Sequence, residues 1–245
     1  MNGLPRSDSS GGPALAPDDS TLARVLEPEV MDTAAEAAAY DAMDHGEVNR
    51  RFAADFLAAL AEAGLPPDVE ILDLGTGTAQ IPIELCRQSP TLRVLAIDLS
   101  AEMLHLAEQN VERAGLAKRI HLELVDAKRL PFADGQFAAV ASNSIVHHIP
   151  DPLETLKEAV RVLRKPNGLI FLRDLARPLD DARVRQLVAM YAADANEYQR
   201  QLFDDSLRAA LAISEIRALV TQLGFDSQSV RATTDRHWTW SAVTR

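Results

Sequence analysis

Three aspartates stand at or near the ends of short apolar runs: Asp73 in "VEILDL", Asp98 in "LRVLAIDL" and Asp126 in "RIHLELVDA". Gly75 and Gly77 follow the first of them, in "DLGTGTAQ". Glycine lets a backbone turn tightly and lets a ligand reach amides that a side chain would cover. Such a junction suits a nucleotide. A dinucleotide fingerprint asks for a third glycine three residues beyond the second, where this chain has Gln80 preceded by Ala79. A carboxylate at Asp73 would also repel a pyrophosphate, whereas it suits a cationic ligand. Any one acid at a strand end can simply cap a helix or face water; three at this regular spacing favour convergence on one ligand. Asp98 can then hold both hydroxyls of a ribose, while Asp126 accepts from an adenine amine and the Ala127 amide donates to a ring nitrogen.

The elements that must position these residues alternate. Runs over 69–74, 92–99, 119–127, 137–144 and 168–175 read as strands, with helical patterns over about 79–88, 101–114 and 152–163. Strands separated by helices pair in parallel, which predicts a doubly wound α/β sheet covered on both faces, the first strand central. After Pro178 comes a helical insertion near 180–212, then "SEIRALVTQLGF", a helix capped by Ser214 and stopped by Gly224. "SVRATT" and "HWTWSAV" close the chain as an antiparallel pair, with Trp238 and Trp240 on one face.

Upstream, residues 1–20 are rich in Gly, Pro, Ser and Asp and read as a disordered tail. Residues 21–66 form a helical segment: Thr33 and Glu36 have capping-box spacing, and Val48, Phe52, Phe56, Ala59, Leu60 and Ala63 make a second helical stripe. The main domain is 67–245. The net charge of −11 argues against nucleic acid or an anionic membrane as partner. The single Cys86 excludes an internal disulfide framework and reads as a small buried hydrophobe. Without a leader or a membrane-spanning run, a cytoplasmic protein is expected.

Taken together, these residues resemble the class I S-adenosylmethionine-dependent methyltransferases. "ILDLGTGTA" is similar to that family's first motif, "AIDLS" to its second acidic position, "LVDAKRLPFADGQFAAV" to its third and fourth, and "HHIPDP" to the turn after the fourth strand. The likeness covers about 69–175. It implies a Rossmann-like, seven-stranded, mostly parallel sheet with a C-terminal antiparallel hairpin and an N-terminal helical lid. It also implies S-adenosyl-L-methionine as cofactor and in-line methyl transfer to a small-molecule acceptor, an activity of the EC 2.1.1 class. By carry-over, Asp73, Gly75, Thr76 and Gly77 would hold the methionine part, Asp98 and Leu99 the ribose, and Asp126 with Ala127 the adenine, with Asn143 completing the set. Two positions depart from the family: Ala79, where a third glycine is frequent, and Ala138, where an aspartate is usual. The first matters only if the turn needs a positive φ. Two other readings stay open: an NAD(P)-dependent oxidoreductase, disfavoured by Gln80 and Asp126, and a non-catalytic S-adenosylmethionine-binding protein.

For the acceptor, "SNSIVHHIPDP" and "LRDLARP" bring Asn143, Ser144, His147, His148, Arg173 and Asp174 beyond the fourth and fifth strands. Adjacent residues cannot both point one way in a strand or helix, so at most one histidine is expected to face a pocket. With no third ligand at a recognisable spacing, no metal is expected. Arg173 and Asp174 read equally as an internal ion pair or as a grip on an anionic acceptor. The stretch "YDAMDHGEVNRRF" is dense in polar groups; in similar methyltransferases such a segment folds over the donor, which makes Tyr40, Asp44, His45 and Asn49 lid residues. His45 or Asp44 would serve as base, and Asn143 and His147 are the other catalytic candidates. Met190, Tyr191, Tyr198 and Phe203 offer another wall, although such a stripe is more often core. The acceptor atom and the oligomeric state leave no trace in the sequence.

Overall fold

A computed structural model describes residues 22–28, 33–43 and 45–245. The expected tail over 1–20 and the candidate base Asp44 lie outside the described residues. Strand β1 (Glu70–Leu74) is central, parallel to β2 (Arg93–Asp98) on one side and to β4 (Ala139–Asn143) on the other. β3 (Ile120–Leu124) pairs beyond β2, and β5 (Leu169–Leu175) beyond β4, both parallel. β7 (His237–Val243) lies antiparallel against β5, with β6 (Val230–Ala232) on its far side. The order β3-β2-β1-β4-β5-β7-β6 is the seven-stranded, mostly parallel sheet with an antiparallel C-terminal pair that the sequence predicts.

Alternation along β1 builds two cores. Ile71 joins Phe52, Phe56, Leu85 and Phe171 on one face, under α2 (Gly46–Glu62), α3 (Gln80–Gln88) and α4 (Ala101–Arg113). Leu72 and Leu74 join Val140, Ile170, Trp238 and Trp240 on the other, under α5 (Leu153–Val162) and α8 (Ile213–Gln222). Phe52 and Phe56 meet Phe171 edge to face at 5.4 and 5.7 Å. Each fully buried ring contributes about 2 kcal/mol, so α2 is fastened to the sheet through its apolar stripe. Helix α1 (Ala34–Asp41) begins at Thr33 with the expected capping box to Glu36. No helix among the described residues is long and apolar enough to cross a membrane.

The insertion after Pro178 is two helices, α6 (Asp181–Tyr191) and α7 (Glu197–Ala209), around Val184, Leu187 and Leu207. Asn196 restarts the helix with its own capping box to Gln199. Helix α8 is capped at Ala212, whose amide donates to Glu215 at 2.8 Å; the expected cap Ser214 lies inside the helix. A carboxylate on the capping amide outcompetes a hydroxyl two residues on.

Ala79 takes φ 62° and ψ 24° before α3, so the turn does need the left-handed region. That conformation costs an L residue about 1–2 kcal/mol. Glycine would relieve it but would lose a buried methyl and add unfolded-state entropy, about 1 kcal/mol each. These effects nearly cancel. Ala79→Gly is expected to change the unfolding free energy by less than about 0.5 kcal/mol in urea titration; a gain above about 1 kcal/mol would mean the methyl is poorly packed.

Candidate functional site

From β1 the chain winds one way to β2 and β3 and the other way to β4 and β5, so a crevice opens at the carboxyl ends of β1 and β4. A cleft of about 930 Å³ occupies it. The structure brings Gly75, Gly77, Asp98, Leu99, Asp126, Ala127 and Asn143 together along this cleft. Asp98 clamps the glycine loop: its Oδ2 accepts from the Gly77 amide at 2.8 Å and its Oδ1 from the Ser100 amide at 2.9 Å. Burial pushes its carboxyl up, against the pull of those amides. The Leu99 amide adds to these two, and the carboxylate's roughly four acceptor positions still leave room for a ligand hydroxyl. Asp126 accepts from the Lys128 amide at 2.9 Å, in the turn beyond β3, because the strand stops at Leu124.

Both glycines take positive φ, for different reasons. At Gly75, φ +67°, a Cβ would sit 2.5 Å from Ile145 Cδ1. At Gly77, φ +54°, the nearest atom to a Cβ would be Tyr40 Cε1 at 3.7 Å, so its absence keeps the approach open.

Asp73 and Thr76 are placed deeper than expected. They line an adjoining cavity of about 20 Å³, behind the cleft and shared with His45, Asn49, Gly75 and Asn143. Asp73 is only 2% exposed and its Oδ2 has no hydrogen-bond partner. Burial, helped by the charge of Asp98 and opposed by Thr76, pushes its carboxyl up to about 7. Asn143 Oδ1 is likewise buried without a partner. These orphaned acceptors beside an open glycine loop fit a cationic, donor-rich ligand.

Helix α1 and the start of α2 cover this end. Tyr40 and His45 line the cleft with ring centroids 5.2 Å apart. Burial and then Asp98 push the Tyr40 hydroxyl up to about 12. Asp41 Oδ1 accepts from Gln80 Nε2 at 3.1 Å and from Asn110 Nδ2 at 2.9 Å, while Asn49 Nδ2 donates to Gln80 Oε1 at 3.3 Å. Gln80 stands where a dinucleotide fold wants glycine, and here it joins both covering helices to α3.

On the other side, the turn Val146–His148 is a 3-10 helix and both His147 and His148 line the cleft. The expectation that only one would do so fails: the two rings lie side by side, centroids 4.2 Å apart, and the cleft runs past both. His147 Nδ1 lies 2.5 Å from Asp174 Oδ1, whose other oxygen accepts from the amides of Val146 and His147 at 2.6 and 3.1 Å. Against its burial, Asp174 raises the affinity of His147 for a proton; burial and the charge on His147 push His148 down to about 3. Arg173 and Asp174 do not pair with each other, since neighbours on a strand face opposite ways. Arg173 donates to Asp55 at 2.7 Å and to Thr239 at 2.9 Å and stacks over Phe52 and Phe171.

Met190, Tyr191 and Phe203 form the opposite wall, and Tyr198 is 48% exposed outside it. Two further residues of the cleft region, Glu27 and Arg236, are not among the expected site residues. Glu27 sits in a stretch without helical or strand periodicity, yet its Oε1 lies 3.1 Å from His148 Nδ1 and 3.4 Å from His147 Nε2. Arg236 stacks on Tyr191 with its guanidinium 3.3 Å from the ring centroid.

A family model described as "Methyltransferase domain" matches residues 72–172. Among curated proteins, the ubiquinone/menaquinone biosynthesis C-methyltransferase UbiE of Geotalea daltonii is 32% identical over 46% of this chain and 48% of its own length. The demethylmenaquinone methyltransferase of Porphyromonas gingivalis is 37% identical over 44% of each chain. The chain thus spans about half the length of the curated relatives it matches. Two solved structures share the fold: a SAM-dependent methyltransferase from Aquifex aeolicus (TM-score 0.54, 18% identity, 77% of this chain and 88% of that one), and the plantazolicin methyltransferase BpumL, crystallised with a desmethylPZN analogue and SAH (TM-score 0.64, 17% identity, 85% and 90%). The domain match falls on the strands and loops that carry the glycine turn and the three strand-end aspartates, and over this stretch the chain is similar to methyltransferases.

Proposed function

We propose that this protein transfers the methyl group of S-adenosyl-L-methionine to a diffusible small molecule in the cytoplasm, without a nucleic-acid partner. The observation that carries the reading is the Asp98 carboxylate, held by the Gly77 and Ser100 amides with acceptor capacity left for a ribose at the cleft. Asp126 and Ala127 are assigned to the adenine. Gly75, Gly77 and the deeper Asp73 and Thr76 are assigned to the methionine end, where Asp73 favours positive charge. The bound donor supplies an electrophilic methyl group and its own leaving group. The chain's residues then align an acceptor, exclude water and, where needed, take a proton.

His45 in the cleft, with Asp44 beside it in sequence, takes that proton. Helix α1 acts as the lid, its Tyr40 closing over Gly77. His147, tied to Asp174, shapes the acceptor side with Asn143. Two relatives named as a ubiquinone/menaquinone biosynthesis C-methyltransferase and a demethylmenaquinone methyltransferase support a small-molecule acceptor, and the net charge of −11 supports the absence of nucleic acid.

The test is calorimetric titration with S-adenosylmethionine, its demethylated product and NAD in parallel. Binding of the first two alone supports the reading; binding of NAD alone overturns it. Asp98→Ala is expected to weaken donor binding by about 100-fold and, since two amides lose their acceptor, to cost about 1–2 kcal/mol of stability. Undiminished donor binding in that variant would remove the ribose from Asp98.

A further inference from the structure

We propose that Glu27, His147 and His148 form a binding site for one divalent transition-metal ion, zinc in the first instance, on the acceptor side of the cleft. The three ligand atoms lie within 4.8 Å of one another. Glu27 Oε1 is 3.1 Å from His148 Nδ1 and 3.4 Å from His147 Nε2. Ligands held about 2.0–2.1 Å from a tetrahedral zinc are themselves about 3.3 Å apart, so these spacings already suit a common ion. The remaining spacing closes by rotation of His148, the most exposed of the three side chains at 20%.

A second observation points the same way. Glu27 is 92% buried at its side chain, counted from 8% exposure, and neither Glu27 Oε1 nor His148 Nδ1 makes a hydrogen bond. A carboxylate oxygen and an imidazole lone pair facing each other repel unless a proton or a metal cation sits between them. The surroundings hold the ligands in place. Asp174 takes the far nitrogen of His147, the arrangement in which an outer carboxylate orients a metal-binding imidazole. Glu27 Oε2 accepts from Ser206 at 3.2 Å, which leaves Oε1 for the site. Arg24 fixes the segment before it by donating to the carbonyls of Ile149 and Ala209 at 2.9 and 2.6 Å. Two imidazoles and one carboxylate favour a borderline transition metal over magnesium or calcium. Because both histidines line the cleft, the open coordination positions face the acceptor region. An oxygen of a small molecule or a water fits there.

The experiment uses the untagged full chain, stripped with chelator and dialysed, then titrated with zinc by calorimetry and with cobalt(II) by visible absorption. One ion per chain is expected, with the intense bands of a low-coordinate cobalt site. Glu27→Ala and His148→Ala are each expected to weaken zinc at least 100-fold, and Asp174→Asn about tenfold. Donor binding, read calorimetrically on the same samples, should be unchanged in the Glu27 and His148 variants and shows that they are folded. No binding to the parent, or binding retained in both variants, overturns the site. Metal binding without donor binding would instead sink the proposed function and leave the metal site standing.

Discussion

Asp73→Asn is expected to stabilise the ligand-free protein by about 2 kcal/mol at pH 8 while weakening its grip on S-adenosylmethionine by about 100-fold. The carboxyl is pushed up to about 7 in the fold by burial, against about 3.9 in an unfolded chain. Between those pH values the folded state keeps a proton that the unfolded state has lost. Stability of the parent therefore falls as pH rises from about 4 to about 7 and is level above. Each tenfold in proton affinity is about 1.4 kcal/mol, so the cost reaches about 4 kcal/mol at most, and relaxation of the surroundings reduces it to about half. Asparagine carries no charge to bury. Denaturant titrations of parent and variant should coincide near pH 4 and separate above it, and parallel curves across that range would show that the carboxyl is not strained by burial. The same charge that destabilises the empty protein is what a sulfonium would neutralise, so donor affinity of the parent should rise with pH through this window.

Gly75→Ala is expected to lower stability by about 3 kcal/mol, a fall in melting temperature of about 6–12 °C for a chain of this size. About 1 kcal/mol comes from φ +67° and the rest from overlap with Ile145, whose Cδ1, Cγ1 and Cβ would lie 2.5, 2.7 and 2.9 Å from the new methyl. The Cβ belongs to the base of that side chain and cannot swing away. Gly77→Ala has no such neighbour within 3.7 Å, so it should cost only about 1 kcal/mol yet raise the donor dissociation constant at least tenfold by filling the approach beside Tyr40. Calorimetric melting and donor titration of the two variants should give opposite rankings. A Gly75→Ala protein that melts like its parent would mean that Ile145 does not brace the loop.

Much of the fold was legible because its periodicities are local. The alternation of apolar runs and helical stripes is written within 69–175, and the strands observed there fall inside the expected runs. Boundaries moved where side chains compete for backbone groups, as at Glu215 and Ala212, and the division of the helical insertion at Asn196 was not marked. The residues around the cleft were partly legible for the same reason. Asp98, Asp126 and the glycines sit at fixed offsets from strand ends, whereas the depth of Asp73 depends on α1 and α2 packing over it from outside the run. Glu27 had no offset from anything. It reaches the histidines because Arg24 spans carbonyls on the turn after Val146 and at the end of α7, contacts that join chain positions more than a hundred residues apart.

The sheet order also sets a timetable for synthesis. β5 carries Arg173 and Asp174, which hold α2 and His147 in place, but its outer edge is paired only by β7. β7 follows β5 by roughly 60 residues, so a growing chain exposes an apolar, unpaired strand edge for several seconds at ordinary elongation rates. The insertion helices and α8 emerge during that interval. The far wall of the cleft and the protection of the nascent edge are thus completed together, when β7 emerges.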